Sequence, residues 1–154
     1  MKKMLGMVMV LGLVLVFSGV AMAGGTSTVT VTANVVGTCG FDTANATLAF
    51  GALDPSIGGP VNGSALVNLW CTNGQGYTIT DNDGTNPAGT THQMDNTGTP
   101  GNYIAYTFNY AATGTGTGRT VLIPLAISGT VAFAAYQNAL VGDYSDTVVL
   151  TITP

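Results

Sequence analysis

The amino-acid sequence reads as an all-β sandwich, and three observations say so. Beyond residue 23, apolar and polar residues alternate with period two in short runs, the pattern of half-buried strands. Clusters of Gly, Pro, Asn and Asp interrupt those runs at a spacing of about ten residues. No run keeps a 3.6-residue apolar period long enough for the crossover helices of a parallel sheet.

The first 23 residues stand apart. Lys2 and Lys3 precede an uncharged apolar run over residues 4–20, and Ala21-Met22-Ala23 is a small-x-small cleavage signature. This is the layout of a secretion signal. The run approaches the length of a bilayer span, but two Gly and a Thr/Ser stretch follow it with no basic stop-transfer cluster. Cleavage after Ala23 is expected, which limits membrane association to the signal and the secretion machinery.

Residues 26–36 alternate cleanly, with Val29, Val31, Ala33 and Val35 in one phase and Thr28, Thr30, Thr32 and Asn34 in the other. Residues 46–51 form a short strand carrying Leu48 and Phe50, and Asp54-Pro55 and Gly58-Gly59-Pro60 then signal a loop. Residues 65–71 set Ala65, Val67, Leu69 and Cys71 against Leu66, Asn68 and Trp70. A strand over 76–80 ends in the turn Asp81-Asn82-Asp83-Gly84. Residues 85–101 are polar and rich in Gly, Pro and Asn, and are expected as a long loop with little core. The next strand, 102–110, places Tyr106, Phe108 and Tyr110 in one phase, and the Thr/Gly repeat at 113–118 reads as a turn. Residues 120–128 carry Val121, Ile123, Leu125 and Ile127, with Pro124 confining them to a sheet edge or forcing a bulge. Residues 132–139 fit a short strand or one helical turn. A last strand, 144–153, sets Val148, Leu150 and Ile152 against Thr147, Val149, Thr151 and Thr153.

Composition narrows the function. With residues 1–23 removed, both lysines are gone and Arg119 is the one cation against seven Asp and no Glu, a formal charge of −6. Such a surface cannot neutralise a run of phosphates, so nucleic acid is excluded as a partner, as is attraction to anionic lipid. His92 is the one histidine; without a second His or any Glu it has no partners for a triad or a metal site, and it is expected as a solvated loop residue. Aligning Gly84 with the invariant Gly of a calcium loop puts Ile79 at the first ligand position, and no bidentate Glu follows, so residues 81–86 read as a β-turn. Asp143 and Asp146 read as turn caps, too few for paired-carboxylate chemistry. No catalytic, cofactor-binding or metal residue is assigned, no cofactor is expected, and an enzyme is not the reading.

Cys39 and Cys71 are an even pair in the exported portion and read as a disulfide. Closing that loop stabilises by about 3–4 kcal/mol on the chain-entropy estimate. Trp70, Tyr103, Tyr106, Phe108 and Tyr110 offer a carbohydrate-binding face, although aromatics on strands beside a cysteine more often form core.

Several segments then fall together: Thr-Val-Thr-Ala-Asn-Val-Val-Gly-Thr-Cys ending at Cys39, Leu48-Ala49-Phe50-Gly51 with Asp54-Pro55, Leu69-Trp70-Cys71-Thr72, Tyr77-Thr78-Ile79-Thr80 into Asp81-Asn82-Asp83-Gly84, Tyr103-Ile104-Ala105-Tyr106, and Gly142-Asp143-Tyr144-Ser145-Asp146-Thr147-Val148. The series resembles the spore coat U family, which includes the major pilins of archaic chaperone–usher pili. Its most specific parts are the two-cysteine frame and the closing Gly-x-Tyr-x-Asp-Thr-Val. Two features depart from the family: Ile152-Thr153-Pro154 where an aromatic is common, and no Pro-rich turn in residues 132–141.

The resemblance implies an immunoglobulin-like sandwich lacking its final strand, with an N-terminal extension (24–37) ahead of a pilin domain (38–154). It implies donor-strand exchange, in which Val29, Val31, Ala33 and Val35 of one subunit add beside the acceptor strand of Val148, Leu150 and Ile152 in the next. A periplasmic chaperone would fill the gap first, and exchange would take place at an outer-membrane usher. The product would be a homopolymer of identical or related subunits, a secreted cell-surface pilus serving adhesion or biofilm formation. Two alternatives stand beside it: a structural protein of a spore coat or extracellular matrix, and a carbohydrate-binding adhesin module.

Overall fold

The structure, a computed structural model, describes residues 24–154; the expected secretion signal lies outside the described residues. The chain divides into two units, Met1–Ala33 and Asn34–Pro154. Of the first, residues 24–33 are described. They join no ladder and are exposed throughout, Val29 at 79% and Val31 at 87%.

The second unit holds the strands: β1 (Cys39–Phe41), β2 (Val61–Cys71), β3 (Gly76–Asp81), β4 (His92–Asn96), β5 (Tyr103–Asn109), β6 (Thr113–Thr115), β7 (Ile123–Val131), β8 (Tyr144–Ser145) and β9 (Leu150–Thr153), with one helical turn, α1 (Phe133–Tyr136), between β7 and β8. They make two antiparallel sheets, β1-β2-β7-β5-β4-β8 and β6-β3-β9. The expected all-β, immunoglobulin-like sandwich is therefore the architecture found. Among the described residues no helix is long and apolar enough to cross a membrane.

Period-two alternation decides which face is buried. Val67, Leu69 and Cys71 of β2 and Leu125 and Ile127 of β7 point inward and meet Tyr77 and Ile79 of β3. A second cluster gathers Ile104, Tyr106, Val131 and Tyr136. Full burial of such a side chain contributes about 1.5–3 kcal/mol, so the two clusters supply most of the drive to fold.

Several elements differ from the sequence expectation, each for a physical reason. Residues 46–51 join no ladder, yet their side chains pack as a strand's would. Leu48 and Phe50 lie over Gly63 of β2 and Gly129 of β7, which face each other in register. A Cβ on Gly129 would come within 2.9 Å of both side chains, so the bare glycines are what let this segment approach the sheet. Residues 85–101 are not a coreless loop: they contain β4, and His92 is 7% exposed. His92 is thus a core residue, a correction to its reading as a solvated one. His-Gln-Met-Asp-Asn has no β-branched residue to advertise a strand; pairing with β5 from His92↔Tyr106 to Asp95↔Tyr103 makes it one.

The expected turn at 113–118 contains β6, paired with β3. Pro124 lies within β7, a strand flanked by β2 and β5, without breaking a ladder bond. Its partner Asn68 directs its own N–H and C=O to Thr43 and Asp42, away from β7, so Asn68↔Pro124 is a non-hydrogen-bonded pair. The nitrogen of Pro124 therefore faces the side that β5 leaves open, because β5 pairs only at residues 128–130. Residues 132–139 choose the helical turn. The expected strand 144–153 splits, with β8 pairing β4 in the large sheet and β9 pairing β3 in the small one.

Candidate functional site

The feature that invites a function is the β9 edge. On one side β9 pairs β3 through Thr78↔Thr153, Ile79↔Ile152, Thr80↔Thr151 and Asp81↔Leu150. On the other it has no ladder partner among the described residues, leaving backbone N–H and C=O groups free to pair. Val148, Leu150 and Ile152 are each only partly buried. Leu150 and Ile152 pack at the margin of the first cluster and Val148 at that of the second, so this edge borders both. Phe41, Phe50 and Leu53 are half-covered at the same margins.

Two polar networks hold the β9 edge in place. Asp146 accepts the Thr85 and Thr147 amides through Oδ1, both at 2.7 Å, and the Tyr106 hydroxyl through Oδ2 at 2.6 Å. Asn82 Oδ1 accepts the Val149 amide at 2.9 Å. Burial, and then the bond to Asp146, push the Tyr106 phenol well above its ordinary pKa. Gly142 has φ +148, and a Cβ there would stand 2.7 Å from Asn96 Nδ2. Tyr144 donates to the Leu140 carbonyl at 2.8 Å. Gly142 and Tyr144 of the closing motif thus seat the entry to β8, and Asp146 holds the chain where it crosses to the other sheet.

The second network centres on Asp81. Its Oδ2 accepts the Tyr110 hydroxyl at 2.8 Å, and its Oδ1 meets the Asp83 amide at 2.8 Å and His92 Nε2 at 3.1 Å. Burial pushes the Asp81 carboxyl up, but the hydrogen bonds from Tyr110, Asp83 and His92 outweigh it and hold it below the usual carboxylate range. Tyr110 is pushed up to about 12 by burial and then by Asp81. The His92 ring packs against Tyr106 and Phe108 at centroid distances of 5.5 and 5.2 Å. Asp81, Asp83 and His92 bring potential metal-ligand atoms within 4.8 Å of one another. Both Asp81 oxygens already bond protein donors, so the trio is accounted for as a lock on the turn after β3.

Cys39 and Cys71 face each other in the β1–β2 register and are bonded. The expected donor residues Val29, Val31, Ala33 and Val35 are all exposed. The five aromatics do not share a face. Tyr106 is buried, Phe108 and Tyr110 pack edge to face at 5.7 Å, Tyr103 points the opposite way, and the Arg119 guanidinium covers Trp70 at 4.5 Å. The residues that sequence reasoning missed are His92 and its partner Asp81, eleven positions apart. The visible signal was the Asp-Asn-Asp-Gly turn, which shows a cap but not what the cap would reach.

Comparison with known proteins completes the description. The family model of the Spore Coat Protein U domain matches residues 25–151. No curated protein matches the chain. Among solved structures it is similar to the CsuC–CsuE chaperone–tip adhesion subunit pre-assembly complex from the archaic chaperone–usher Csu pili of Acinetobacter baumannii. That likeness has TM-score 0.48 and 16% identity, over 77% of this chain and 40% of that one. A chaperone–tip adhesin complex of CFA/I fimbriae biogenesis is similar with TM-score 0.43 and 17% identity, over 74% and 42%. The chain thus spans about two fifths of the solved chains it matches. With a family match that runs through both cysteines and the closing motif, the chain belongs to the Spore Coat Protein U domain family.

Proposed function

We propose that this protein is a secreted structural subunit that polymerises by donor-strand exchange into a pilus-type surface fibre. The observation that carries the reading is the β9 edge, without a ladder partner among the described residues, with Leu150 and Ile152 on it and Val148 just ahead of it half-covered. A strand added there supplies ladder hydrogen bonds and sockets for alternate side chains. The segment that fits is the chain's own alternating stretch, with Val29, Val31, Ala33 and Val35 in one phase. Burying those four contributes on the order of 5–8 kcal/mol, and each ladder bond adds roughly 0.5–1.5 kcal/mol. That rivals the whole stability of an ordinary domain, about 5–15 kcal/mol. A subunit lacking its donor is then poorly stable, which gives a periplasmic chaperone its purpose and makes an outer-membrane usher the site of exchange. Each donor serves the next acceptor, so the contact is head-to-tail and generates a filament.

The test places a charge where a valine must be buried. Val31→Asp, in cells supplying a chaperone and usher, is expected to abolish fibres in sheared material seen by electron microscopy. The chaperone–subunit complex should still elute intact on gel filtration. Normal fibres from Val31→Asp, or from a chain lacking residues 26–36, would overturn the proposal.

A further inference from the structure

The second unit, Asn34–Pro154, has two unlike ends, and the register defines them. Cys71 finishes β2 beside the turn of residues 116–122, where the Gly118 amide donates to the Cys71 carbonyl at 3.0 Å. Val61 starts β2 opposite Val131, and beyond that level lie α1, the Tyr103 end of β5, and β8. Exposed apolar side chains collect at both ends. Outside the expected donor residues, nine large ones are exposed among the described residues. Ile57, Tyr103, Leu140 and Val141 stand at the Val61 end, Val36, Val121 and Leu122 at the Cys71 end, and only Leu66 and Val149 lie elsewhere. Apolar side chains gathered in this way mark contact surfaces.

Charge is divided between the same two ends. Arg119, the one cationic side chain beyond residue 23, sits at the Cys71 end, stacked on Trp70 and 3.8 Å from Asp42. Its side chain is still 61% exposed, so that long surface contact leaves most of the guanidinium open. Asp54, Asp95 and Asp143 stand at the Val61 end. The Asp143 carboxylate is exposed and bonds nothing among the described residues.

The root of the expected donor names the occupant. The Thr72 hydroxyl accepts the Thr38 amide at 3.0 Å and donates to the Val36 carbonyl at 3.2 Å, so the segment leaves from the Cys71 end. Val36, Gly37 and Thr38 alone separate Val35 from β1, a reach of about 10 Å. A donor seated beside β9 therefore brings its own Cys71 end against the acceptor. β9 runs toward the Cys71 end, because Thr153 faces Thr78 and β3 starts beside Gln75, whose carbonyl accepts the Gly116 amide. An antiparallel donor runs the other way and leaves its root at the acceptor's Val61 end. Arg119 then approaches Asp54, Asp95 and Asp143, whereas a parallel donor would set two Arg119 ends together. Resting on the donor-strand reading, we propose that the Cys71 end of each subunit docks on the Val61 end of the subunit that receives its donor. Val121 and Leu122 pack against Leu140 and Val141, and Arg119 pairs with Asp143. The short tether makes the contact intramolecular, so small patches suffice, and the charges decide which ends meet.

The test traps the contact in sheared fibres with a disulfide. Val121→Cys combined with Val141→Cys, both at exposed positions, is expected to give a ladder of covalent multimers on a non-reducing gel after mild oxidation. Leu122→Cys with Leu140→Cys is a second pair should the first misfold, and each cysteine alone should give no ladder. Adding Arg119→Asp or Asp143→Arg to a trapped pair should lower the cross-linked share about fivefold, the scale of an exposed ion pair turned repulsive. Adding both should restore it, which damage to either end would not. Fibres with no ladder from either pair, single reversals without effect, or no restoration in the double reversal would overturn the proposal while leaving donor-strand exchange standing. Covalent dimers from Val121→Cys alone would show like ends in contact and overturn it too. A wild type that forms no fibres would end both readings.

Discussion

β8 and β9 lie a few residues apart in one stretch of chain and finish two different sheets, but only one of them invites a partner. β8 is two residues long, flanked by Asp143 and Asp146, and the chain leaves the large sheet directly after it. The chain carries no charge from Thr147 to the end of β9, whose outer edge has no ladder partner among the described residues and borders the half-buried Leu150 and Ile152. Short length and inserted carboxylates are common ways to blunt a sheet edge. The same local sequence therefore blunts one edge and leaves the next open, and Asp146 marks the boundary.

The largest expected effect comes from filling the open edge. Fusing residues 26–36 behind Pro154 through a short Gly/Ser linker lets the segment fold back beside β9. The fusion is expected to stabilise by on the order of 5 kcal/mol, raising Tm by about 20 °C. The same fusion carrying Val31→Asp should lose most of the gain. Differential scanning calorimetry decides it, and an unchanged Tm would mean that the β9 edge accepts no such strand.

A smaller test compares two isoleucines paired across the β3–β9 ladder. Ile79 is 1% exposed and Ile152 only partly buried. Ile79→Ala is expected to cost about 3–4 kcal/mol with or without an added strand, because its cavity forms in a closed core. Ile152→Ala should cost about 1–2 kcal/mol in the lone subunit and approach the Ile79 value in the fused chain. Urea denaturation of the four variants and their two parents measures both differences. Equal costs in the lone subunit would show that nothing is missing above Ile152.

These residues also show how far the sequence could be read. The strands with β-branched alternation, β2, β3, β5 and β7, were legible because apolar periodicity is a local property. So was the alternation that half-buries Leu150 and Ile152 on β9. β4 was hidden because His92 takes its burial from Asp81 on β3 and from Tyr106 and Phe108 on β5, contacts that no alternation along the chain records. Residues 46–51 carry a strand's pattern but no ladder, since pairing needs a neighbour that alternation cannot supply. The break at 146–149 was invisible for the opposite reason: apolar phase continues straight across it, and only the bonds of Asp146 to Thr85 and Tyr106 reveal that the chain changes sheets.

The smallest expected effect concerns the Asp81 lock beneath β9. The folded carboxyl is held below its unfolded pKa, so the unfolded chain binds protons more readily in acid. The stabilisation is complete above about pH 3.9 and disappears as pH falls through the lower folded value. Tyr110 is shifted the other way, from about 10 in the unfolded chain to about 12 in the fold. The folded chain keeps a proton that the unfolded chain releases, so stability falls as pH rises from about 10 toward 12. Both side chains are partly buried at the sheet margin, within reach of solvent, and each limb is expected to amount to about 1 kcal/mol or less. Asp81→Asn should flatten the acid limb and Tyr110→Phe should reduce the alkaline one, with Tyr106 supplying the remainder through its bond to Asp146. Guanidinium unfolding across this range reads both limbs; an acid limb that survives Asp81→Asn would assign it to another carboxylate.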